Sequence, residues 1–521
     1  MLILRDSRQF YIEGLQLMRK IGFDNNRYLE EQTRYILERV NSAKGRLYLE
    51  CGGKLLFDYH ASRVLPGFDP NIKMKVFEAL KDKIDVIICI YAGDIERRKM
   101  RSDFGISYDS DVFKMIDDFA KYGLTCSKVV ITRFEEQPAV LAFKAKLEAK
   151  GISVYTHQAT PGYPSNIDVV VSEAGYGKNS YIPSDKEIVL VTAPGPGSGK
   201  LATCLSQMYH DNKAGKKSFY AKFETFPVWN LPLQHPVNVA YEAATVDIGD
   251  INLIDHFHLA SYGVVSTNYS RDLDAFPLLA RILERINPEA AIYKSPTDMG
   301  VNRIGFGIID DAVCQEAGRQ EIIRRYCRAK VEYAQGIVNK ETVERAKAIM
   351  DKMNLTLEDR KTIPAAEEAL KKAEKAGKGN RGIVCAASIE LDNGKIVTAN
   401  NSPLLHACSA LVLNALKELA NIPKEEDIIS REVIENVTIM KRDILPSRGV
   451  SLNLDEILIC LAMSAAISEN AKKAMKHLPD LKNTEAHLTH IPSAGDSIGL
   501  RKLGINVTSA PLFPTTAVYN P

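Results

Sequence analysis

Short apolar runs rich in β-branched residues alternate with segments of helical periodicity between about residues 20 and 220, and this alternation limits the possible folds more than any other feature. The predicted strands are 46–51, 85–91, 128–133, 152–156, 168–172 and 187–192. The predicted helices between them are 26–43, 71–83, 110–122 and 138–150. Strands that alternate with helices form a parallel sheet covered by helices on both faces. We therefore predict a large doubly wound, Rossmann-like α/β region, in which ligands bind at the carboxyl ends of the strands.

The pattern changes twice in the remaining chain. The N-terminal α/β domain is predicted to cover 20–310, and its last part, 222–310, is rich in loops. Residues 311–379 have the spacing of charges that is typical of solvated helices. Residues 380–521 begin with two strand patterns joined by Asp392-Asn393-Gly394, which is a strong hairpin signal, and a helix follows. We predict a smaller C-terminal α/β domain there.

Three features bear on the cellular location. The apolar run 457–467 covers 11 residues, whereas a membrane-spanning helix needs roughly 18 or more, so we interpret the run as a core helix. Residues 1–19 lack the pattern of a secretory signal, and we interpret them as an extension; Met18 is a candidate natural start, which would make the first 17 residues an upstream-start artefact or a short extension. The nine cysteines are spread singly without a C-x-x-C pair, as in a reducing compartment. We expect a cytoplasmic protein.

The charge balance bears on the partners. Lys and Arg number 67 and Asp and Glu number 65, so the formal net charge is +2. Such a balance lacks the basic excess that sequence-independent nucleic-acid binding requires. We expect neither nucleic acid nor a membrane as a partner. A homo-oligomer is compatible with the sequence, which does not fix the oligomeric state.

The sharpest local signal is a glycine-rich turn between a strand and a helix, within 187–211. Glycines let backbone amides approach a phosphate, and a helix N-terminus with a nearby ammonium favours the anion. The turn differs from a Walker A loop, because Pro194 stands where the first glycine belongs and Leu201 where the magnesium-binding Ser or Thr belongs. It is interpreted as a phosphate-binding loop or as a purely structural turn. The residues predicted to bind phosphate are Gly195, Gly197, Ser198, Gly199 and Lys200.

Two other strand ends carry candidate site residues. A second glycine turn, 173–179, follows the predicted strand 168–172, so both turns could lie on one edge of the sheet. After the first strand, Arg63 could bind a carboxylate or phosphate, and His60 titrates near neutral pH. Structural roles for these residues fit the sequence equally well.

The loop-rich segment supplies further pocket candidates, because polar residues interleaved with aromatics and prolines are typical of a shaped pocket wall. The predicted pocket residues of this segment are Lys222, Glu224, Trp229, Asn230, His235, Asn238, Lys294, Asp298 and Asn302. Asp310 and Asp311 are weak candidates for a metal site, and the alternative is that they favour the start of the next helix. Asp255, His256 and His258 have the residue types of a metal site but lack a clear second pair of ligands.

Two features of the C-terminal domain also suggest chemistry. His406-Ala407-Cys408 at a helix start resembles the core of zinc nucleoside deaminases, but Cys408 stands where the proton-transferring Glu belongs and no P-C-x-x-C follows. We therefore predict deaminase-like topology without deaminase activity. The loop 487–497 has the residues of an anion-binding loop, or of a surface turn.

Six segments together resemble one bacterial protein family: KIGFDNNRYLEEQ, GGKLLFDYHASRVLPGF, VTAPGPGSGKLATCLSQMYHD, YAKFETFPVWNLPLQHPVNVAYEAAT, YKSPTDMGVN and IPSAGDSIGLRKLGI. The chain resembles the family of domain of unknown function 1846, also designated UPF0371, from about residue 20 almost to its end. This resemblance implies a bacterial cytosolic protein with a large α/β region, a helical insert and a C-terminal region of deaminase-like topology. It implies no catalytic residue.

These observations lead to one principal functional hypothesis. The protein is predicted to bind a phosphorylated small molecule or nucleotide at the 195–200 turn, with the loops 222–258 and 293–302 closing over the ligand. An ATP-dependent or phosphoryl-transfer enzyme would use ATP and magnesium, with Asp310 or Asp311 near the metal. The alternatives are a non-catalytic metabolite-binding or regulatory protein and, more weakly, a metal-dependent hydrolase. The substrate and the reaction are left open.

Overall fold

The computed structural model describes residues 20–101, 105–445 and 449–515. The predicted extension 1–19 lies outside the described residues. The chain forms two compact units, one comprising 21–318 and the other consisting chiefly of the residues from Arg319 onward. None of the helices in the described ranges is long and apolar enough to cross a membrane.

Among the residues that the structure describes, the first unit contains ten strands and twelve α-helices, and a further helix, α13 (Asp311–Ala334), continues past its boundary. Its strands are β1 (Arg46–Cys51), β2 (Ile84–Tyr91), β3 (Met100–Arg101), β4 (Ile106–Ser107), β5 (Lys128–Thr132), β6 (Ser153–His157), β7 (Ile188–Thr192), β8 (Ser218–Phe223), β9 (Asn252–Ile254) and β10 (Thr267–Tyr269). Its helices are α1 (Asn25–Ala43), α2 (Tyr59–Val64), α3 (Ile72–Ala79), α4 (Ala92–Glu96), α5 (Tyr108–Ala120), α6 (Pro138–Glu148), α7 (Ile167–Val170), α8 (Lys200–Lys213), α9 (Pro236–Ala244), α10 (His256–Tyr262), α11 (Ser270–Ile286) and α12 (Pro296–Met299).

Six of these strands form one parallel sheet in the order β6-β5-β2-β7-β1-β8. All five residues of β7 are buried, because a strand at the centre of a parallel sheet is covered on both faces. Such burial requires the continuous apolar run from which the strand was predicted. The sequence prediction of a parallel α/β sheet in this part of the chain is confirmed.

The strand order contains a point at which the direction of the chain across the sheet reverses. From β2 the chain continues outward to β5 and β6, and it then returns to place β7 between β2 and β1, with β8 beyond β1. The connections that leave β2 and β7 therefore run in opposite directions. Ligands of open α/β sheets bind in the crevice that opens at such a point, outside the carboxyl ends of the strands.

Two predictions about this sheet were wrong. Residues 168–172 are not a strand: the short helix α7 occupies this region, and the side chain of Asn166 caps it by accepting a hydrogen bond from the Val169 amide. Local capping here outweighs the β-propensity of the valines. The strand β8 was missed, although it pairs with β1 along its whole length. The second glycine turn therefore does not follow a strand of the sheet beside the 195–200 turn.

The second unit combines helices with a small mixed sheet. Its strands are β11 (Ala386–Glu390), β12 (Ile396–Asn400), β13 (Glu485–Leu488) and β14 (Asn506–Ser509). Its helices after α13 are α14 (Lys340–Lys352), α15 (Thr362–Lys375), α16 (Ala407–Leu419), α17 (Arg431–Ile439), α18 (Leu454–Ser464), α19 (Glu469–Met475) and α20 (Ala494–Leu503). The helices α13 to α15 confirm the predicted helical middle region.

The small sheet has the order β12-β11-β13-β14. The strand β11 is antiparallel to both of its neighbours, and β13 and β14 are parallel. The hairpin between β11 and β12 confirms the prediction from Asp392-Asn393-Gly394, and Gly394 has the positive φ of 78° that such a turn needs.

The apolar run 457–467, which we predicted to be a core helix, lies largely in α18, and only one face of this helix is buried. Ile457 and Leu461 of α18 are fully buried, whereas Ile459 and Met463 are 63% and 54% exposed. The apolar run therefore covers one buried helix face and one face that is open in this chain.

Candidate functional site

The glycine-rich turn lies at the carboxyl end of β7, where the chain direction across the sheet reverses. The strand ends at Thr192, and α8 begins at Lys200. Gly199 is the N-cap residue of α8, with φ 84°, and no side chain caps this helix. The sequence thus correctly placed the turn between a buried strand and a helix.

Two of the glycines are required by close packing. A Cβ atom on Gly195 would lie 2.2 Å from Tyr108 Oη, and one on Gly199 would lie 2.8 Å from Thr132 Cγ2. Gly197 differs, because it has a φ of 72° and no atom lies within 4 Å of the position that a Cβ would occupy there. The turn is therefore held tightly at both ends and is open at Gly197.

Side chains hold the turn by its carbonyl groups. Arg133 donates to Gly197 O at 2.5 Å, Thr132 Oγ1 donates to Ser198 O at 2.9 Å, and Ser198 Oγ donates to Gly195 O at 2.8 Å. The guanidinium of Arg133 also lies 3.6 Å from the ring centroid of Tyr91, at the end of β2. These contacts fix the conformation without using the amide groups of the turn.

The amide groups of this turn remain available. Within the described ranges, the N–H groups of residues 197–201 donate no hydrogen bond to another residue. The first amides of a helix have no acceptor inside the helix, and they are met by caps, by water or by a ligand. Five such donors in succession, at a helix N-terminus, form an anion-binding geometry.

Lys200 adds a positive charge beside these amides. Its ammonium has no hydrogen-bond or ion-pair partner in the part of the chain that the structure describes. Its charge acts on the buried thiol of Cys89, although burial dominates there and raises the pKa of Cys89 to about 12. Burial also raises the pKa of the Cys51 and Cys204 thiols well above the usual range. These thiols are therefore neutral and poor nucleophiles.

The neighbouring strand ends carry a second glycine turn and a half-buried carboxylate. Gly52 follows β1, and its Cβ would lie 2.2 Å from Glu224 Oε1, so the Glu224 side chain lies against the end of β1. Gly53 has a φ of 69° and open space at its Cβ position. Because β7, β1 and β8 are adjacent and parallel, the 195–200 turn, Gly52-Gly53 and Glu224 follow three neighbouring strands at the same edge of the sheet.

Glu224 belongs to a compact group of charges. Lys222 Nζ lies 3.0 Å from Glu224 Oε1 and 2.6 Å from Asp272 Oδ2. Burial, together with the negative charges of Asp272 and Glu50, outweighs the attraction of Lys222 and raises the pKa of Glu224 to about 7. A carboxyl group with such a pKa exchanges protons near neutral pH, which suits a general acid or base. Two predicted pocket residues, Lys222 and Glu224, are thus brought together.

His60 and Arg63 lie on α2, which follows this edge. The ring of His60 is buried between Phe226 and Tyr241, with ring centroids 5.2 Å apart in both pairs. Arg63 is half-buried on the same helix. His60 is therefore primarily an aromatic packing element behind the Glu224 segment.

Three predicted pocket residues instead anchor the loops to one another. Asn238 is fully buried and binds both backbone groups of Val228, accepting from N at 2.7 Å and donating to O at 3.1 Å. Asn302 donates to Thr225 O at 2.9 Å and accepts from Trp229 Nε1 through its own backbone carbonyl, also at 2.9 Å. These contacts are structural.

The loop 293–302 reaches the sheet through its last residues. Val301 N donates to Lys222 O at 2.9 Å, so this loop runs beside the outer edge of β8. Asp298 accepts hydrogen bonds from Tyr262 Oη at 2.8 Å and from Lys294 N at 3.1 Å. Lys294 and Asn230 are exposed. The structure thus places one end of this loop near Lys222.

The carboxylates proposed as metal ligands have other contacts. Asp311 Oδ1 lies 2.9 Å from His235 Nε2, and Asp310 Oδ1 accepts a hydrogen bond from Val313 N at the start of α13. Asp255 caps α10 by accepting from His258 N, and His258 Nδ1 lies 2.9 Å from Ser295 Oγ. Within the described ranges, no group of three or more His, Cys, Asp or Glu side chains is arranged to hold a metal ion.

Tyr91, Tyr108, Thr132 and Arg133 shape the turn but were absent from the predicted site. Thr132 ends β5 and Arg133 follows it, so the rule that ligands bind at the carboxyl ends of strands could have selected them. Tyr108 gave no such signal, because its contact with Gly195 depends on the path of the chain after β4.

Two cavities of the first unit lie elsewhere. One, of about 520 Å³, lies among Arg46, Lys186 and Lys216 at the amino ends of the strands. The other, of about 270 Å³, lies along α11 beside Tyr293. Neither of these two cavities is lined by a residue of the 195–200 turn.

Comparisons with known proteins agree with the resemblance noted in the sequence. Residues 21–354 match the family described as "Domain of unknown function DUF1846, N-terminal", and residues 358–519 match "Domain of unknown function DUF1846, C-terminal". The chain is 54% identical over 501 residues to a UPF0371 protein of Clostridium botulinum (strain 657 / Type Ba4). It is 53% identical over 503 residues to a UPF0371 protein of Fusobacterium nucleatum subsp. nucleatum. Each alignment covers 96% of this chain and 99% of the relative.

Proposed function

The chain belongs to the DUF1846 (UPF0371) family, and from that premise we propose that its first unit binds a phosphorylated small molecule or a nucleotide at the Gly195–Lys200 turn. The family descriptions and the names of the bacterial relatives mention no ligand. The proposal therefore depends on the geometry of the turn alone.

One observation carries the proposal: the run of amides at 197–201 that donate to no other described residue, at the start of a 14-residue helix. Backbone donors left without an acceptor are satisfied by water or by a ligand. A phosphate group supplies several acceptor oxygens and a negative charge, which the helix N-terminus and the Lys200 ammonium both favour. The missing Cβ of Gly197 leaves room for the phosphate to approach.

We propose further that the remainder of the ligand extends over Gly52-Gly53 toward Glu224. The three features follow neighbouring strands; Gly53 leaves open space at its Cβ position, and the Glu224 side chain lies against Gly52. Glu224, with a pKa of about 7, would accept a proton from a hydroxyl group of the substrate. In this form the protein is an enzyme, for example one that transfers a phosphoryl group from ATP.

The principal alternative is a metabolite-binding or regulatory protein without turnover. One observation favours it: Lys222 pairs with both Glu224 and Asp272 at hydrogen-bonding distance, so both carboxylates have a cationic partner without a substrate. A metal-dependent hydrolase has less support, because Asp255, His258, Asp310 and Asp311 are engaged in caps and pairs. If ATP and magnesium bind, phosphate oxygens and water molecules would supply magnesium contacts together with one or two carboxylates.

Two finer statements about the architecture are also proposals. The first unit is doubly wound, because right-handed connections that run in opposite directions across a sheet place their helices on opposite faces. The second unit has deaminase-like topology, supported by the hairpin that leads directly into a helix whose N-cap is His406. The fully buried Cys408 argues against deaminase chemistry. We retain a cytoplasmic location as a proposal.

The test is a thermal-shift screen of the full chain against phosphorylated metabolites and nucleotides, with and without magnesium. A ligand at about 100 times its dissociation constant stabilises the folded state by roughly 2.7 kcal/mol, which raises the melting temperature by several degrees. We expect at least one ligand to give such a shift, and Lys200→Ala to abolish it.

The matched control is Lys340→Ala. Lys340 is also the first residue of a helix, but its ammonium pairs with Glu344 at 2.9 Å. This variant should keep the full shift. Absence of any shift from phosphorylated compounds, or an equal loss in both variants, would show that the turn is structural. Product formation with the active compound then separates the enzyme from the regulatory protein.

A further inference from the structure

A separate group of polar side chains lies in the second unit, at the start of α16. His406 is the N-cap residue of this helix, and its Nδ1 lies 2.8 Å from Asp496 Oδ2. Asp496 is buried, and it also accepts from Leu454 N at 2.9 Å and from Ser493 Oγ at 2.8 Å. The starts of α16, α18 and α20 are thereby brought together around one carboxylate.

The three helix starts differ in their caps. Asn453 caps α18 and Ser493 caps α20 with side-chain hydrogen bonds, whereas α16 has no side-chain cap. In the part of the chain that the structure describes, the amides of residues 407–409 donate to no acceptor. All three residues are buried. A buried helix start without partners is unusual, because each unmet donor costs free energy.

His490 is a second, independent observation. Its side chain is 8% exposed, and its Nδ1 has no hydrogen-bond partner among the described residues. His490 lies within range of the charges of Asp496 and His406, on the loop that joins β13 to α20. Burial lowers the pKa of His490 to about 4 against the opposing effect of the Asp496 charge, and the His406 charge adds to the lowering, so the ring is neutral at pH 7. A buried imidazole without a partner requires an explanation.

We propose that the start of α16 is a second ligand site, which binds a small oxyanion, either a phosphate or a carboxylate group, through the amides of 407–409, His406 and His490. The Nε2 atom of His406 has no partner in the described ranges, and the side chain is 32% exposed, so a ligand can reach it. Asp496 orients the ring through Nδ1. Both oxygens of Asp496 are occupied by donors of the protein, which reduces its repulsion of an anion.

This site is independent of the 195–200 turn, and its test is designed to separate the two. Lys200→Ala removes the cation of the first site in the full chain, which carries histidine labelled with 13C and 15N. Sodium phosphate and sodium acetate are then titrated separately at constant ionic strength and pH 7.5, while the Cε1–H signals of the ten histidines are followed by NMR. Single histidine variants assign the signals.

We expect the signals of His406 and His490 to shift saturably with at least one anion. Saturation with phosphate alone indicates a phosphorylated ligand, and saturation with acetate alone indicates a carboxylate. His477 is the matched internal control, because it also pairs with an aspartate, Asp480, at 2.8 Å but lies on an exposed turn. If neither anion shifts the signals of His406 and His490 further than the signal of His477, the proposal is wrong.

A substitution separates binding from a purely structural pair. His406→Asn keeps a donor near Asp496 and removes the outer nitrogen, whereas His477→Asn makes the same change in the control pair. In the Lys200→Ala background, we expect His406→Asn to weaken the anion affinity, read from the His490 signal, by about tenfold. His477→Asn should leave it unchanged. Equal anion affinities in Lys200→Ala and in its His406→Asn and His477→Asn derivatives would contradict the binding role of His406. The titration of Lys200→Ala itself tests the site even if His406→Asn fails to fold.

Discussion

At the residue scale, the first site combines positions that are fixed by packing with positions that are left open. Gly195 and Gly199 are glycines because Tyr108 and Thr132 occupy the space that a Cβ would need. Gly197 has open space at its Cβ position, and Lys200 has no partner among the described residues. The protein thus holds the turn rigidly through its carbonyl groups and leaves its donors unused, which is the arrangement expected of a preorganised anion site.

The raised pKa of Glu224 predicts a specific pH dependence of stability. Its pKa is about 7 in the folded protein and near 4.5 for the ordinary side chain. Between these values the folded state binds the proton and the unfolded state does not, so the stability falls as the pH rises from 4.5 to 7. Glu224→Gln removes this contribution. We expect the variant to gain on the order of 1 to 3 kcal/mol relative to the unsubstituted protein between about pH 5 and pH 8.

Denaturant unfolding at several pH values measures this difference. The control is Glu289→Gln, which removes a 63% exposed partner of Lys217 and should change little across the same range. A pH dependence that is identical in the unsubstituted protein and in Glu224→Gln would show that Glu224 titrates normally, and the proposed proton-transfer role would be lost.

At the scale of the elements, the loops after β8 are held by buried amide side chains. Asn238→Ala would leave the buried N–H group of Val228 without an acceptor, whereas Val228 O would keep the hydrogen bond from Leu231 N. We predict a loss of about 1 to 3 kcal/mol in the free energy of unfolding, measured by equilibrium denaturation. Asn414 also donates to a backbone carbonyl, Thr398 O at 3.1 Å, but it is exposed. Asn414→Ala should change stability by less than about 0.5 kcal/mol. Similar losses in both variants would refute the anchoring role.

The same elements show what the sequence could predict. The turn at 195–200 was predictable because its glycines, the buried strand before it and the helix after it are contiguous. The strand β8 was missed because its pairing with β1 is non-local, and residues 168–172 were misassigned because a cap at Asn166 is a short-range effect that propensity does not include. Asn238 and Asn302 lie in segments whose composition is typical of a pocket wall. Their partners, however, are backbone groups that only folding brings close to them.

At the scale of the whole molecule, the near-neutral charge predicts an absence of sequence-independent nucleic-acid binding. The formal net charge is +2, so few counterions would be released from DNA. Fluorescence anisotropy with a labelled duplex should show no binding at micromolar protein in about 50 mM salt. Binding that weakens steeply between about 50 and 200 mM salt would contradict this prediction and reveal a basic patch.

The two candidate sites were predictable to different extents. The sequence placed the glycine turn and the group Lys222–Glu224 among its candidates, and the strand order brings them to one edge. It also noted His406 and the loop 487–497, but their meeting at Asp496 depends on the relative positions of three helix starts. Such convergence is a tertiary property, which no local pattern contains.

Phosphate binding at the 195–200 turn is measured most directly by an NMR titration of the backbone amides of the turn. The full chain carries 15N-labelled glycine and the His406→Asn substitution, which weakens the second site, and inorganic phosphate is added at constant ionic strength. Gly197→Ala and Gly199→Ala assign the two signals. Gly215, with a φ of 70° and open space at its Cβ position, is the control glycine at the other end of α8. Phosphate binding at the turn should shift the Gly197 and Gly199 amide signals saturably and leave the Gly215 signal in place. Shifts no larger than that of Gly215 would contradict it.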